Sequence, residues 1–216
     1  MNILVFDTAA EKLEVAVSAA AENRFAFRSV SGFRHSETLL PTISSVLDEA
    51  KLAMNSIALI ACTQGPGSFT GLRIGMATAK GLSMALGIPW VAVPTLDCLA
   101  RPFGELAGPV VPGMDARKNR LYAAMYFHGR RQGDYLDISF QDLVEKLDSY
   151  PDILFTGPDA ELFRELAGER PGFVIDEGST EARMRGLVSL ALDKLNTEGP
   201  EPDTSGPLYL REPEIG

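Results

Sequence analysis

The segment Gly65-Pro66-Gly67-Ser68-Phe69-Thr70-Gly71-Leu72-Arg73-Ile74-Gly75 leads into a helical pattern ending at Gly87, and it constrains the fold more than any other stretch. From Gly71 onward small residues recur at every fourth position: Gly71, Gly75, Ala79, Ser83 and Gly87. On an α-helix that spacing lines one face with almost no side chain. Gly81 also lies inside the run. Each interior glycine costs roughly 1 kcal/mol against alanine, so close packing must compensate. Leu72, Ile74, Met76, Leu82, Met84 and Leu86 are large and apolar. The helix is therefore expected to be covered on more than one side, its small face meeting another helix, of this chain or of a second one.

A chain of 216 residues forms one large domain or two lobes. Its first residues, Met1-Asn2-Ile3-Leu4-Val5-Phe6-Asp7, read as a buried strand and lack the basic leader and cleavage site of a signal peptide. No apolar run approaches the ~20 residues that span a bilayer. Cys62 and Cys98 sit in apolar surroundings without metal-ligand spacing. These features predict a cytoplasmic protein with no membrane contact. The formal net charge of −9 argues against this chain alone gripping a nucleic-acid backbone. It leaves open membership in a complex that does so through another subunit.

Apolar periodicity predicts strands at 2–7, 12–19 and 22–31, with Phe25, Phe27 and Ser29 on one face of the third. A helix follows at 36–52, its first turn made irregular by Pro41, then a strand at 57–63, the small-faced helix, a strand at 90–93 and a short helix from 95. That order predicts a mixed sheet, an antiparallel meander continued by parallel strands. The second half predicts strands at 109–113, 121–128 and 134–138, the last two joined through Gly129 to Gly133. A helix at 141–147, strands at 153–156 and 173–176, a helix at 181–195 and an irregular tail from Glu198 complete the chain. The lobes are set at 1–104 and 105–216, with the 181–195 helix able to pack back on the first.

Several residues invite a chemical reading. The glycine-rich turn lacks the lysine of a P-loop, and Thr70 occupies the last glycine position of the dinucleotide fingerprint. A strand-to-helix turn capped by Ser68 or Thr70 competes there with an anion site. Asp7-Thr8 resembles in placement the phosphate loop of sugar kinases and actin, and a turn role and ligand contact both stay open. His35-Ser36-Glu37 combines a base, a hydroxyl and an acid, but consecutive side chains diverge, so Ser36 or Glu37 serving the helix N-terminus is the better reading. Asp115-Ala116-Arg117-Lys118-Asn119-Arg120 is the one cationic cluster, either a solvated loop or a site that steers an anion.

Taken in order, several motifs closely resemble the TsaB (YeaZ) family. They are Asp7-Thr8, His35-Ser36-Glu37 with Leu39-Leu40-Pro41, the block from Gly65 to Gly75, Ala77-Thr78-Ala79-Lys80-Gly81-Leu82, Asp115-Ala116-Arg117 and Pro207-Leu208-Tyr209-Leu210-Arg211. The resemblance implies an α/β, two-lobed fold of the actin, sugar-kinase and Hsp70 type (ribonuclease H-like), with mixed sheets. It implies a non-catalytic subunit that binds a homologous partner, TsaD, which carries the metal and transfers the threonylcarbamoyl group to adenosine beside the tRNA anticodon. It further implies that a small ATPase, TsaE, supports turnover, that the chain pairs with itself when TsaD is absent, and that it meets tRNA only indirectly. In catalytic relatives a His-x-x-x-His metal pair follows the strand after the glycine-rich helix; here Thr95 and Leu99 fall at those places, and neither replaces imidazole.

The expected partner or dimer interface comprises His35, Ser36, Leu39, Leu40, Ile43, Gly71, Leu72, Gly75, Met76 and Ala79. Nucleotide or anion contacts are expected at Asp7, Thr8, Gly65, Gly67, Ser68 and Arg117, with no tightly bound cofactor, no metal, no catalytic residue, and ATP or ADP only at the TsaD seam. The competing reading is a small ATP-dependent phosphotransferase using Asp7, the 65–71 loop and Arg117. A metal-dependent glycoprotease is rejected for want of a metal pair or a triad.

Overall fold

The computed structural model describes residues 1–32, 34–168 and 171–211. In chain order the first elements are β1 (Asn2–Asp7), β2 (Leu13–Ala19), β3 (Arg24–Val30), α1 (His35–Ala50), β4 (Leu59–Gly65), α2 (Phe69–Leu86), β5 (Trp90–Pro94) and α3 (Thr95–Ala100). They are followed by β6 (Val110–Asp115), β7 (Arg120–Phe127), β8 (Arg130–Ser139), α4 (Phe140–Leu147), β9 (Ile153–Thr156), α5 (Ala160–Ala167), β10 (Phe173–Asp176) and α6 (Thr180–Thr197). The chain divides into two compact units, Met1–Cys98 with Thr180–Leu208, and Leu99–Ser179 with the segment from Tyr209 onward. The first division thus falls inside α3 rather than at 104/105, and α6 belongs to the first unit.

In the first unit the sheet order is β3-β2-β1-β4-β5, with β1, β2 and β3 antiparallel and β1, β4 and β5 parallel. A central strand covered on both faces has no polar side to show, which is why β1 reads as a continuous apolar run. Leu4 and Phe6 join the core beneath α1 and α2. Ile3 and Val5 face the opposite way, against Met184, Leu187 and Ala191 of α6. The α1 helix is continuous through Pro41, which sits on its exposed side, so the expected irregular first turn is absent. Neither Ser36 nor Glu37 caps it: the N-cap is Arg34, without a side-chain bond.

In the second unit the order is β10-β9-β6-β7-β8. Val111, Leu121, Ala123, Phe155 and Phe163 lie at the centre of its core. His128 and Gly129, both at positive φ, close the β7–β8 hairpin in a two-residue turn. Residues 130–133, expected in the connection, therefore belong to β8. Helix α5, absent from the sequence reading, supplies Phe163 to this core. Of the expected irregular tail, residues 212–216 lie outside the described residues. Among those described, no helix is long and apolar enough to cross a membrane.

Candidate functional site

The motifs singled out in the first unit converge on one feature, the β1–β2 turn at Asp7 to Ala10. Asp7 is buried, and its Oδ1 accepts from the Ala9 amide and from Thr63 Oγ1, each at 2.8 Å. The Ser68 amide donates to the Ala9 carbonyl at 2.7 Å. His35 Nε2 stands 2.9 Å from the Ala10 carbonyl, and because a carbonyl only accepts, the ring proton lies on Nε2. Strand β4 and helices α1 and α2 are thus all tied to one short turn.

This turn also explains the first half of the small-residue stripe. A Cβ at Gly71 would overlap the Thr8 carbonyl oxygen, and one at Gly75 would overlap Thr8 Oγ1. Thr8 itself is fully buried. At Gly71 and Gly75 the bare face therefore receives Thr8, its backbone carbonyl at the first and its side chain at the second, not a neighbouring helix, which corrects the sequence expectation. Gly67 is held likewise, a Cβ there lying 2.5 Å from the Ala9 carbonyl oxygen. A Cβ at Gly65 would overlap the Leu208 carbonyl.

Three of the amides that could face an anion are committed. Gly65 N donates to Thr95 Oγ1 at 3.2 Å, Ser68 N to Ala9, and Gly71 N to Ser68 Oγ at 3.3 Å, the expected helix cap. These bonds, with the close approach of Gly67 to Ala9, make this part of the loop a packed joint. Thr95 is buried, and so is Leu99.

Burial also corrects the proposed interface. Of its ten residues, only Ser36 and Leu40 are exposed; His35, Leu39, Ile43, Gly71, Leu72, Gly75, Met76 and Ala79 are buried within their own unit. The outward face of α2 presents Ala77, Gly81, Met84 and Ala85, and α1, on the same side of the sheet, presents Leu40 and Pro41. Met84 is 78% exposed and Leu40 55%. A Cβ added at Gly81 would meet nothing. The sequence carries this signal too: Ala77, Gly81 and Ala85 form a second stripe of period four beside the first.

Sequence reasoning also missed a buried ion pair. Glu14 on β2, opposite Asp7 in register, accepts from Arg183 and Thr180 of α6. Both charged groups are almost wholly buried. Burial raises the Glu14 carboxyl above its ordinary value, Arg183 opposes the shift and Asp7 adds to it.

In the second unit the cationic loop is built on Asp115. Its carboxylate accepts from the Arg117 amide at 2.7 Å and pairs with the Arg117 guanidinium at 3.2 Å. Asp137 takes both Arg120 and Arg211, and Arg211 also donates to the Ala116 carbonyl. The tail arginine thereby fixes the loop.

Two compact α/β units, each carrying a five-stranded mixed sheet, define the class of the actin-like ATPase fold. A Bacteroides thetaiotaomicron protein described as having that fold and unknown function superposes with a TM-score of 0.51 at 10% identity, covering 87% of this chain and 95% of the other. Within the class the relationship is much closer to one group. The structure of YeaZ from Pseudomonas aeruginosa gives a TM-score of 0.79 at 30% identity over 97% of this chain and 99% of that one. The "tRNA threonylcarbamoyladenosine biosynthesis protein TsaB" of Bacillus subtilis is 28% identical over 98% of this chain and 94% of its own length. Residues 29–172 match the family model described as "TsaD: tRNA N6-adenosine threonylcarbamoyltransferase". The chain belongs to the TsaB (YeaZ) family.

Proposed function

We propose that this chain serves the threonylcarbamoylation of adenosine in tRNA as a non-catalytic subunit, docking on TsaD through the outward faces of α1 and α2. In the absence of TsaD a second copy takes the same face, while tRNA and TsaE act on the assembled pair. The observation that carries the reading is Gly81: an interior helical glycine with open space beside it, flanked by the exposed Met84. Within its own unit such a glycine only costs stability, whereas a backbone approaching from outside requires it. Family membership supports the pathway, and the buried Thr95 and Leu99 at the places of the catalytic relatives' metal pair support the lack of catalysis. Any nucleotide is assigned to the seam with TsaD, because the Gly65, Ser68 and Gly71 amides of the 65–71 loop are already bonded; the same bonds weigh against the phosphotransferase reading.

The test uses Gly81→Trp and Met84→Asp, which point outward and leave the core untouched. Both variants should keep the wild-type melting temperature and lose co-purification with TsaD. Undiminished capture of TsaD by folded Gly81→Trp would show that the partner docks elsewhere. Gly75→Trp would be uninformative, since it would force apart α2 and the turn.

A further inference from the structure

We infer that the second unit holds a binding pocket for a small organic anion, formed by the 115–121 loop over the helices α4 and α5. A cavity of about 280 Å³ opens there, close to the lower limit of small-molecule sites. Its apolar wall is made by Leu121, Phe140, Leu162 and Leu166, with Leu166 47% exposed. Its polar wall carries Arg117 and Lys118, so the two halves call for different parts of one ligand.

The charge of the polar wall is one-sided. Among the described residues that line the cavity, three are cations, Arg117, Lys118 and Arg120, and one is an acid, Asp115. Asp115 is engaged by the amide and guanidinium of Arg117, and Arg120 is engaged by Asp137. The Arg117 side chain remains 78% exposed and can share its five donors between Asp115 and a second carboxylate or phosphate. In a chain of net charge −9, this is where cationic residues are concentrated.

The backbone points the same way. Arg117, Lys118 and Asn119 occupy the left-handed region in succession, at φ of 63°, 56° and 57°. Glycine adopts that conformation freely and asparagine tolerates it, but arginine and lysine are disfavoured there. The connection between β6 and β7 could be closed by glycines; instead it carries two long cations in an unfavourable conformation at the mouth of a cavity. Strain of this kind gathers at ligand clamps, where it aims a side chain. The ligand is therefore an organic anion with a flat or aliphatic body of about one bicyclic ring, its body on Phe140, Leu162 and Leu166 and its head at Arg117 and Lys118.

The probe is indole-3-acetate, with its uncharged amide, indole-3-acetamide, as the matched control. Titration of the full chain, followed by amide and methyl resonances, should shift the amides of 117–119 and the methyls of Leu162 and Leu166. The acid should bind about tenfold more tightly than the amide, as loss of a charge-assisted contact demands. Arg117→Ala/Lys118→Ala should abolish that preference, and Leu166→Asp should weaken both probes. Arg130→Ala/Arg131→Ala, a cationic pair elsewhere in the unit, should change neither. Dispersed spectra of each variant establish that it is folded. Equal affinity for acid and amide, shifts centred on other residues, or no shift up to about 10 mM (weaker than any specific site) would each overturn the proposal.

Discussion

Gly71 and Gly81 stand on the same helix under opposite demands. At Gly71 an added methyl would run into the Thr8 carbonyl, and neither partner can yield because both are backbone. Gly71→Ala should therefore lower stability by about 2–3 kcal/mol, read from urea unfolding. At Gly81 nothing stands in the way, and Gly81→Ala should raise stability by about 0.5–1 kcal/mol in the same experiment. Opposite signs from one chemical change separate a glycine kept for internal packing from one kept for an external contact. Glu14 gives a pH test. Its carboxyl is raised by burial against the opposing pull of Arg183, so the folded state holds its proton more tightly than the unfolded state. Between the ordinary value of 4.5 and the raised one, the folded state binds more protons, and Glu14 makes the protein less stable as pH rises. The double variant Glu14→Gln/Arg183→Met removes both charges together. Its stability relative to wild type should climb with pH through that window and level off above it; a flat difference would remove Glu14 as the cause.

At the scale of elements, strands and helices were legible wherever one period dominated. The 153–156 and 173–176 strands appear at their expected residues, and α6 differs from its expected 181–195 only at the ends. What the pattern could not convey was direction. A period of four says which residues of α2 share a face, and small residues occur in two such registers; only the position of Thr8 decides that Gly71 and Gly75 look inward. For that reason the expected interface took Gly71, Gly75 and Ala79 of α2 from the buried register. Helix α5 was too short to declare itself beside two glycine-bounded strands, and the internal bonding of the Gly65 and Ser68 amides was illegible because their acceptors, Thr95 Oγ1 and Ala9 O, lie far away in sequence. The segment after α6 makes a further elemental prediction. It runs from β5 to the end of β4, with Glu201 N donating to Trp90 O of β5 at 2.9 Å and Leu208 N to Gln64 O of β4 at 2.8 Å. Lys194 Nζ bridges the Glu201 carboxylate at 2.5 Å and the Ala92 carbonyl at 2.7 Å. Burial pushes the Glu201 carboxyl up, but the bonds from Lys194 and Ser205 outweigh it and leave it below its ordinary value. The tail's attachment should therefore hold above that ordinary value and fail as pH falls through the lowered one. Hydrogen exchange at the Glu201 and Leu208 amides should show it, and Glu201→Ala should abolish their protection at neutral pH.

For the molecule as a whole, charge divides the labour. A net charge of −9 sets this chain against a polyanion at every separation that salt does not screen. The cationic residues at 117–120 do not reverse this, because Arg117 is paired with Asp115 and Arg120 with Asp137. A subunit that meets tRNA only through its partner should leave no mark on the counterions released when tRNA binds. The isolated chain should therefore fail to retard tRNA in a gel at about 50 mM salt, where electrostatic binding is strong. The complex with TsaD should retard it, with a slope of log affinity against log salt that Arg117→Ala/Lys118→Ala leaves unchanged. A shallower slope in that variant would mean that this unit touches the phosphate backbone directly, and the division between a docking subunit and a tRNA-holding one would have to be redrawn.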